Sequence, residues 1–523
     1  MWRNELECRG IGKWASVLAV ATVFLGIAPG MSGVGEAQAV AAPADATGPA
    51  RVLGVFEEIA RIPRCSKHEE AVSAWLVEWA RKRGLAAKTD DRRNVLVSVP
   101  ASKGREGEPA VVLQAHMDMV CQKTDDSTHD FAKDPVVPVR DGDWLRASDT
   151  TLGADDGIGV AFALALAEDP GLSRPPLELL FTTDEEVDMS GAAGLSEDFL
   201  SGRKCINIDW ETEGSMALGS AGGVKSEIVL PLNFSEVPKD FRVFSFRIDG
   251  LLGGHSGLEI DKNRANANRL VAECLAGSLP LRLISFAGGT ATNAITRTSQ
   301  ATFAVEPSLV EDLRARLSAG EREIEERYPD EKDLSATLTE LPLEAPCKAA
   351  SREGTEKALD LVRAIPYGVW EMSKEFPGLP ETSNNIGIVE TKGDAMHVTT
   401  YQRSSKEEKL EEITRVIEEA ARKAGASASR RGWSPAWPPD PDSDLRREAS
   451  AVYEKAFGKP IRTEVIHAGL ECGYLAEKYP GMDIVSVGPT LEHVHTPRER
   501  LYLPSVERLW VFLTELLEEL GKK

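Results

Sequence analysis

The sequence predicts an α/β protein, a mixed sheet flanked by helices, into which an α+β domain is inserted. Three observations predict it. Short apolar strands alternate with helical patterns between residues 51 and 222, as in a sheet covered on both faces. Near residue 222 the strands change character: KSEIVLPL (225–232) and FRVFSFRIDG (241–250) alternate like half-exposed strands. A Pro/Asp-rich segment, SPAWPPDPDSD (434–444), then returns the chain to the first domain.

The elements follow in order. Residues 1–39 read as an export signal: Arg3, Arg9 and Lys13 come first, WASVLAVATVFLGIAPG (14–30) carries no charge, and Ala37-Gln38-Ala39 offers a cleavage site. The chain is therefore expected to be exported, periplasmic or secreted, with no membrane span once the signal is removed. Residues 40–50 are a Pro/Ala linker. HEEAVSAWLVEWARKRG (68–84) has apolar residues at helical spacing and basic residues before Gly84. NVLVSVP (94–100) and AVVLQAHMD (110–118) are strands, DGIGVAFALALAED (156–169) is a buried helix, and LELLFTTDEE (177–186) and KCINIDW (204–210) are further strands. The first part of the sheet domain thus spans 51–222. The inserted domain, 223–434, contains a strand–helix round that recurs more weakly after residue 380, so it is one body or two similar subdomains. Residues 435–523 complete the sheet domain and end in the amphipathic helix SVERLWVFLTELLEEL (505–520).

Composition bounds the function. A chain of 523 residues, 42% hydrophobic, can bury a large core and suits two domains. A formal charge of −22 argues against a phosphate-backbone partner, so no nucleic acid is expected. Of seven cysteines, Cys8 precedes the apolar run, and the other six are scattered without a C-x-x-C pair. Mostly buried free thiols are expected, with room for one bridge.

Five acidic and histidine-bearing segments stand at strand ends: VVLQAHMDMV (111–120), LGADDGIG (152–159), LLFTTDEEVD (179–188), INIDWETEG (206–214) and PTLEHVHTP (489–497). They supply His116, Asp118, Asp155, Glu185, Glu186, Asp209 and His495. This oxygen- and imidazole-rich set without cysteine suits a catalytic dinuclear Zn²⁺ or Mn²⁺ centre better than a structural zinc site. His116 and Asp118 lie two apart, so the carboxylate can orient the imidazole. Asp155 sits at a glycine-rich turn where a carboxylate can bridge two cations, although Asp also caps helices there. Glu185 and Glu186 are adjacent and cannot share one direction, so one can ligate while the other acts as general base. His493 and His495 alternate, and only one of them should face the site. Each motif alone is common in surface loops and turns. Their joint placement after apolar runs, where ligands of α/β sheets bind, is what points to a site.

On these residues the chain resembles the M20 family of di-zinc metallopeptidases over about residues 50–523, most closely its aminoacyl-histidine dipeptidase branch. The segments that carry the resemblance are QAHMDMV, LGADDGIG, DEEVDMSGA, GGHSG (253–257), HAGLECG (467–473) and HTPRER (495–500). It implies a di-zinc exopeptidase-like sheet with the inserted domain as lid, and two Zn²⁺ per chain, with Mn²⁺ or Co²⁺ as substitutes. It implies His116 and Asp209 on one metal, Glu186 and His495 on the other, Asp155 bridging across a cis bond to Asp156, Asp118 as orienter and Glu185 as general base. On the lid it implies His255 for the oxyanion, and Asn293 and Arg403 for the substrate's carbonyl and carboxylate. Asp156 and Trp210 depart from the residues usual at their positions. The implied activity is hydrolysis of unblocked Xaa-His dipeptides of the carnosine type. The implied partner is a short peptide, with either a homodimer or a monomer as the working form. An N-acyl amino-acid hydrolase and a non-catalytic exported peptide-binding protein are the other readings; a phosphoryl-transfer enzyme lacks its phosphate-cradling loop.

Overall fold

A computed structural model describes residues 47–521, apart from 278 and 345. The expected signal peptide lies outside the described residues. Helix Pro49–Ala60 opens the described chain, with proline at a first-turn position whose N–H would have no partner in any case.

The first sheet has eight strands in the order 86–89, 95–99, 177–182, 111–116, 204–207, 483–486, 215–220, 462–466. Its centre is parallel: Val111–His116 lies between Leu177–Thr182 and Lys204–Asn207, and Lys204–Asn207 runs parallel to Asp483–Ser486. A central parallel strand must be apolar on both faces, and Val111–His116 is buried at all six positions. Val111, Leu113 and Ala115 face one core, which is closed by helices Pro49–Ala60, Ala154–Glu168, Asp444–Phe457 and Leu503–Glu519. Val112 faces the other core, with Leu180, Cys205, Phe199, Trp437 and Tyr479. Burying one such aliphatic side chain stabilises by roughly 1.5–3 kcal/mol, so this strand is anchored from both sides. That rigidity holds His116 at its end in a fixed place.

The second sheet has nine strands, all between residues 222 and 434, and helices Ala267–Leu275, Val310–Arg327, Arg352–Ala364 and Glu407–Ala424 occur in the same stretch. It has its own core, including Phe244, Phe246, Phe286, Phe303, Ile386 and Ile413. The two strand–helix rounds read from the sequence meet in this one sheet, where Ala287 and Gly288 pair with Glu390 and Val389.

Several elements carried too weak a pattern to be expected. They include helix Asp444–Phe457, capped by Ser443, helix Arg352–Ala364, capped by Ser351, and a four-stranded sheet built from 138–147 and 491–502. Cys65 and Cys121 form a disulfide, while Cys205, Cys274 and Cys472 are buried free thiols and Cys347 is a half-buried one. Among the described residues no helix is long and apolar enough to cross a membrane.

Candidate metal centre

The segments that bear His116 and Asp118, Glu185 and Glu186, and Asp209 leave strands 111–116, 177–182 and 204–207 of the first sheet, while Asp155 heads helix Ala154–Glu168 and His495 follows Leu491–Glu492 of the four-stranded sheet; all turn into one cleft. His116 closes Val111–His116, and its backbone N–H donates to Asp156 Oδ2 at 3.1 Å. Its Nδ1 lies 3.4 Å from Asp118 Oδ1. Asp118 is fully buried and also accepts the backbone N–H groups of Glu185 (3.1 Å) and Glu186 (3.3 Å) and the Ser66 hydroxyl (2.8 Å). It therefore ties the His116 ring to the turn that carries both glutamates.

Asp155 has non-helical backbone angles (φ −83°, ψ 110°) at the head of Ala154–Glu168, and its bond to Asp156 is cis. Its two carboxylate oxygens face different imidazoles. Oδ1 is 3.1 Å from His116 Nε2, and Oδ2 is 3.0 Å from His495 Nε2. Asp209 Oδ1 stands 3.6 Å from His116 Nε2, and Glu186 Oε2 stands 3.0 Å from His495 Nε2. Three overlapping ligand groups result: His116/Asp155/Asp209, Asp155/Glu186/His495 and His116/Glu185/Glu186, each with atoms within 4.8 Å of one another. His493 does not line this cleft; His495 does.

The electrostatics fit a bound cation pair. Burial raises the Glu185 and Asp156 carboxyls well above the usual range and, together with the Asp155 charge, raises Glu186 to about 7. Burial alone would lower His495, but Asp155 and Glu186 overcome it and push the imidazole up to about 12. Among the described residues no lysine or arginine forms an ion pair with Asp155, Glu185, Glu186 or Asp209, and Glu186 Oε1 is buried with no hydrogen-bond partner. Several carboxylates held together without a fixed cation repel one another, and cations between them would remove that cost. The donors are hard oxygens plus two imidazoles, as a divalent zinc- or manganese-type ion prefers.

Residues that the motifs did not single out brace this cluster. Arg64, 1% exposed, donates through Nη1 to the Met117 and Asp118 carbonyls (3.1 and 2.7 Å) and through Nη2 to the Gly153 carbonyl. Glu499, 2% exposed, accepts four consecutive backbone N–H groups: Leu152 (2.9 Å), Gly153 (3.0 Å), Ala154 (2.7 Å) and Asp155 (3.3 Å). Gly153 is required here, since its φ is +69° and a Cβ would stand 2.6 Å from the Arg64 guanidinium. Glu471 is fully buried beneath the sheet end and accepts from Gln114 Nε2 (2.7 Å) and the Thr182 hydroxyl (2.5 Å). Glu471 and Glu499 lie in the HAGLECG and HTPRER segments, which the sequence marked without a role for these residues. Arg64 carried no signal beyond being a charge beside an apolar helix.

The second sheet closes the cleft. His255 sits on Gly254–His255, which pairs with Ala294–Ile295. Its Nδ1 accepts the backbone N–H groups of Gly257 (3.3 Å) and Leu258 (3.2 Å), so in the neutral ring the hydrogen is on Nε2. Burial, then the Arg403 charge, holds its pKa down at about 3. Arg403 is 4% exposed, its guanidinium stacks 4.1 Å from the Tyr401 ring centroid, and its Nε has no partner. Asn293 is exposed beside them. His255, Asn293, Arg403, Asp155, Glu185, Glu186, Asp209 and His495 all line one cavity of about 680 Å³. All the candidate residues therefore meet at this cleft, with Asp118 and His116 just beneath its wall.

The family model for peptidase family M20/M25/M40 matches residues 112–519. The chain belongs to this family. It is 38% identical over 479 residues to the cytosol non-specific dipeptidase of Escherichia coli (strain K12), an alignment covering 91% of this chain and 98% of that one. It superposes on the crystal structure of aminoacylhistidine dipeptidase from Vibrio alginolyticus with a TM-score of 0.78 at 37% identity, covering 91% of this chain and 97% of that one. An aminopeptidase from Bacillus cereus, at 15% identity and a TM-score of 0.53, shares the fold. The M20 resemblance and the α/β fold with a lid domain are thus established. The expectation of an exported, periplasmic or secreted protein is corrected: the Escherichia coli relative, matched over almost its full length, is named for the cytosol. The physical weakness of the export reading lies in its first residues, where Glu5 and Glu7 offset the basic side chains that a signal's leading segment needs.

Proposed function

We propose that this M20 protein is a metal-dependent dipeptidase that hydrolyses dipeptides with free termini, Xaa-His dipeptides of the carnosine type among them, with two Zn²⁺ ions as the working metals. The observation that carries the reading is Asp155, whose two oxygens address two separate ligand groups, as a bridge between two cations must. His116 and Asp209 would hold one ion, Glu186 and His495 the other. Two bound cations would supply Lewis-acid polarisation of the scissile carbonyl and an acidified water.

Every other role belongs to side chains. Glu185 lines the cavity and burial raises its carboxyl above the usual range, which suits a group that takes a proton from water and returns it to the leaving amine. Asp118 holds the Glu185 backbone and the His116 ring together, which keeps the base at a constant distance from the reacting carbonyl. His255 presents Nε2–H to the cavity and stays neutral, so it can donate to the developing oxyanion. Arg403, a buried guanidinium with no carboxylate partner among the described residues, suits the free carboxylate of a short peptide, and Asn293 suits the carbonyl. The relatives at 38% and 37% identity are named as dipeptidases, which favours this reading over an N-acyl amino-acid hydrolase or a peptide-binding protein. Lid and catalytic residues of one chain line the same cavity, which supports a monomer as a working form beside the homodimer.

The test is release of histidine from β-Ala-His and of amino acids from a panel of unblocked dipeptides, with added Zn²⁺ or Mn²⁺. Metal-dependent cleavage should fall at least about 10³-fold in Glu185→Gln with bound metal retained. Absence of turnover in the metal-loaded wild type would refute the reading.

A further inference from the structure

The cavity holds one acidic side chain to which neither the metal centre nor the ion-pair network gives a task. Six carboxylates line it: Asp155, Glu185, Glu186, Asp188, Asp209 and Glu211. Asp155, Glu185, Glu186 and Asp209 belong to the candidate ligand groups. Asp188 is paired with Lys67 at 3.2 Å. Glu211 is in none of the ligand groups, and among the described residues its carboxylate has no hydrogen bond and no ion pair. It is only partly exposed, so water alone compensates its charge incompletely.

The backbone that presents Glu211 is firmly held. Its carbonyl accepts the Leu491 N–H at 3.0 Å, Trp210 N–H donates to Val487 O at 3.4 Å, and Trp210 Nε1 donates to Ser215 Oγ at 2.7 Å. Gly488 lets the chains approach, since a Cβ there would stand 1.6 Å from Trp210 O. A carboxylate on so fixed a support, two residues beyond Asp209, is placed rather than drifting. The same cavity carries the opposite anomaly on the lid: Arg403, nine-tenths buried or more, with an unpartnered Nε. A carboxyl group without a protein partner among the described residues is thus supplied from the first sheet and a guanidinium with an unpartnered Nε from the lid. An unblocked dipeptide is the complementary ligand, with an ammonium at one end and a carboxylate at the other.

We propose that Glu211 receives the substrate's free ammonium group and so restricts the enzyme to peptides with an unblocked amino terminus. The inference rests on the dipeptidase reading and adds a specificity determinant to it. No bond is made or broken by Glu211. It accepts hydrogen bonds from the ammonium, and it disfavours an N-acyl group, which brings no positive charge and would leave the carboxylate desolvated and unpaired.

The experiment compares wild type, Glu211→Gln and Glu211→Asp, each with metal content measured, on Ala-His and on its des-amino analogue propionyl-His. Wild type should prefer Ala-His strongly. Glu211→Gln should lose on the order of 100-fold in kcat/KM on Ala-His, most of it in KM, with little change on propionyl-His. Glu211→Asp keeps the charge and should retain most of the preference. An unchanged preference in Glu211→Gln, or an equal loss on both substrates, would overturn the inference while leaving the dipeptidase reading intact. Loss of bound metal in Glu211→Gln would overturn it in favour of a metal-holding role. A wild type that cleaves no unblocked dipeptide would overturn the reading beneath it.

Discussion

Replacing Glu499 by glutamine tests whether the bridging position is held by a buried charge 344 residues away in sequence. The carboxylate accepts four backbone N–H groups between 2.7 and 3.3 Å, two on each oxygen. A glutamine offers one oxygen, so two of the four donors would face an amide NH₂ instead. Two lost hydrogen bonds to a charged acceptor amount to about 3 kcal/mol. Arg64, equally buried, would also lose a nearby countercharge, and breaking a buried pair typically costs about 3–5 kcal/mol. These contributions overlap, so the variant should be destabilised by about 3–5 kcal/mol. Because the Asp155 N–H is one of the four donors, metal affinity should also fall about 10- to 100-fold. Urea unfolding of chelator-treated protein followed by circular dichroism gives the first quantity, and a zinc titration monitored by a competing chromophoric chelator gives the second. A variant within 1 kcal/mol of wild type and with unchanged affinity would refute the reasoning, and would mean that the 152–155 turn is fixed by its own backbone.

Three further outcomes follow from the same geometry. Arg403→Ala should raise KM for unblocked dipeptides by on the order of 100-fold but hardly alter it for dipeptide amides, which a steady-state comparison of the two substrate types would show. Glu471 is raised by burial to about 8 from an ordinary 4.5, so between those values the folded protein holds a proton that the unfolded chain has lost. Stability contributed by this group is therefore full below pH 4.5 and is lost as pH rises to about 8, by up to about 5 kcal/mol; in chelator-treated protein, Glu471→Gln should flatten the fall of melting temperature between pH 5 and 8. Reducing the Cys65–Cys121 disulfide, which closes a loop of separation 56, should cost about 4 kcal/mol by chain entropy, read as a shift in urea midpoint with and without reductant.

How much of this was legible in the sequence depends on the range over which each residue acts. His116, Asp118, Asp155, Glu185, Glu186, Asp209 and His495 each follow an apolar run closely, so local pattern located them, and the open α/β rule said that strand ends converge. The structure brings His116, Asp118, Glu185, Glu186 and Asp209 to one end of the sheet because Val111–His116, Leu177–Thr182 and Lys204–Asn207 are parallel neighbours, and Asp155 and His495 join them from the head of helix Ala154–Glu168 and from the loop after Leu491–Glu492. His255, Asn293 and Arg403 have no such local mark, and only the family resemblance put them beside the cleft. Arg64, Glu471 and Glu499 act through partners distant in the chain: Met117 and Gly153 for Arg64, Gln114 and Thr182 for Glu471, the 152–155 backbone for Glu499. No periodicity encodes such a partner. What the sequence does offer is an incongruity, a charge such as Glu471 within HAGLECGYLA, a segment otherwise apolar enough to be buried. A buried charge is costly unless something compensates it, so an acidic residue inside a buried-looking segment implies a polar partner somewhere in the fold. Glu499 satisfies that implication with four backbone donors, and Glu471 with two side-chain donors on one oxygen and a raised pKa that keeps a proton on the group. Glu211 finds no partner among the described residues, and that difference is why the missing partner is sought in the substrate.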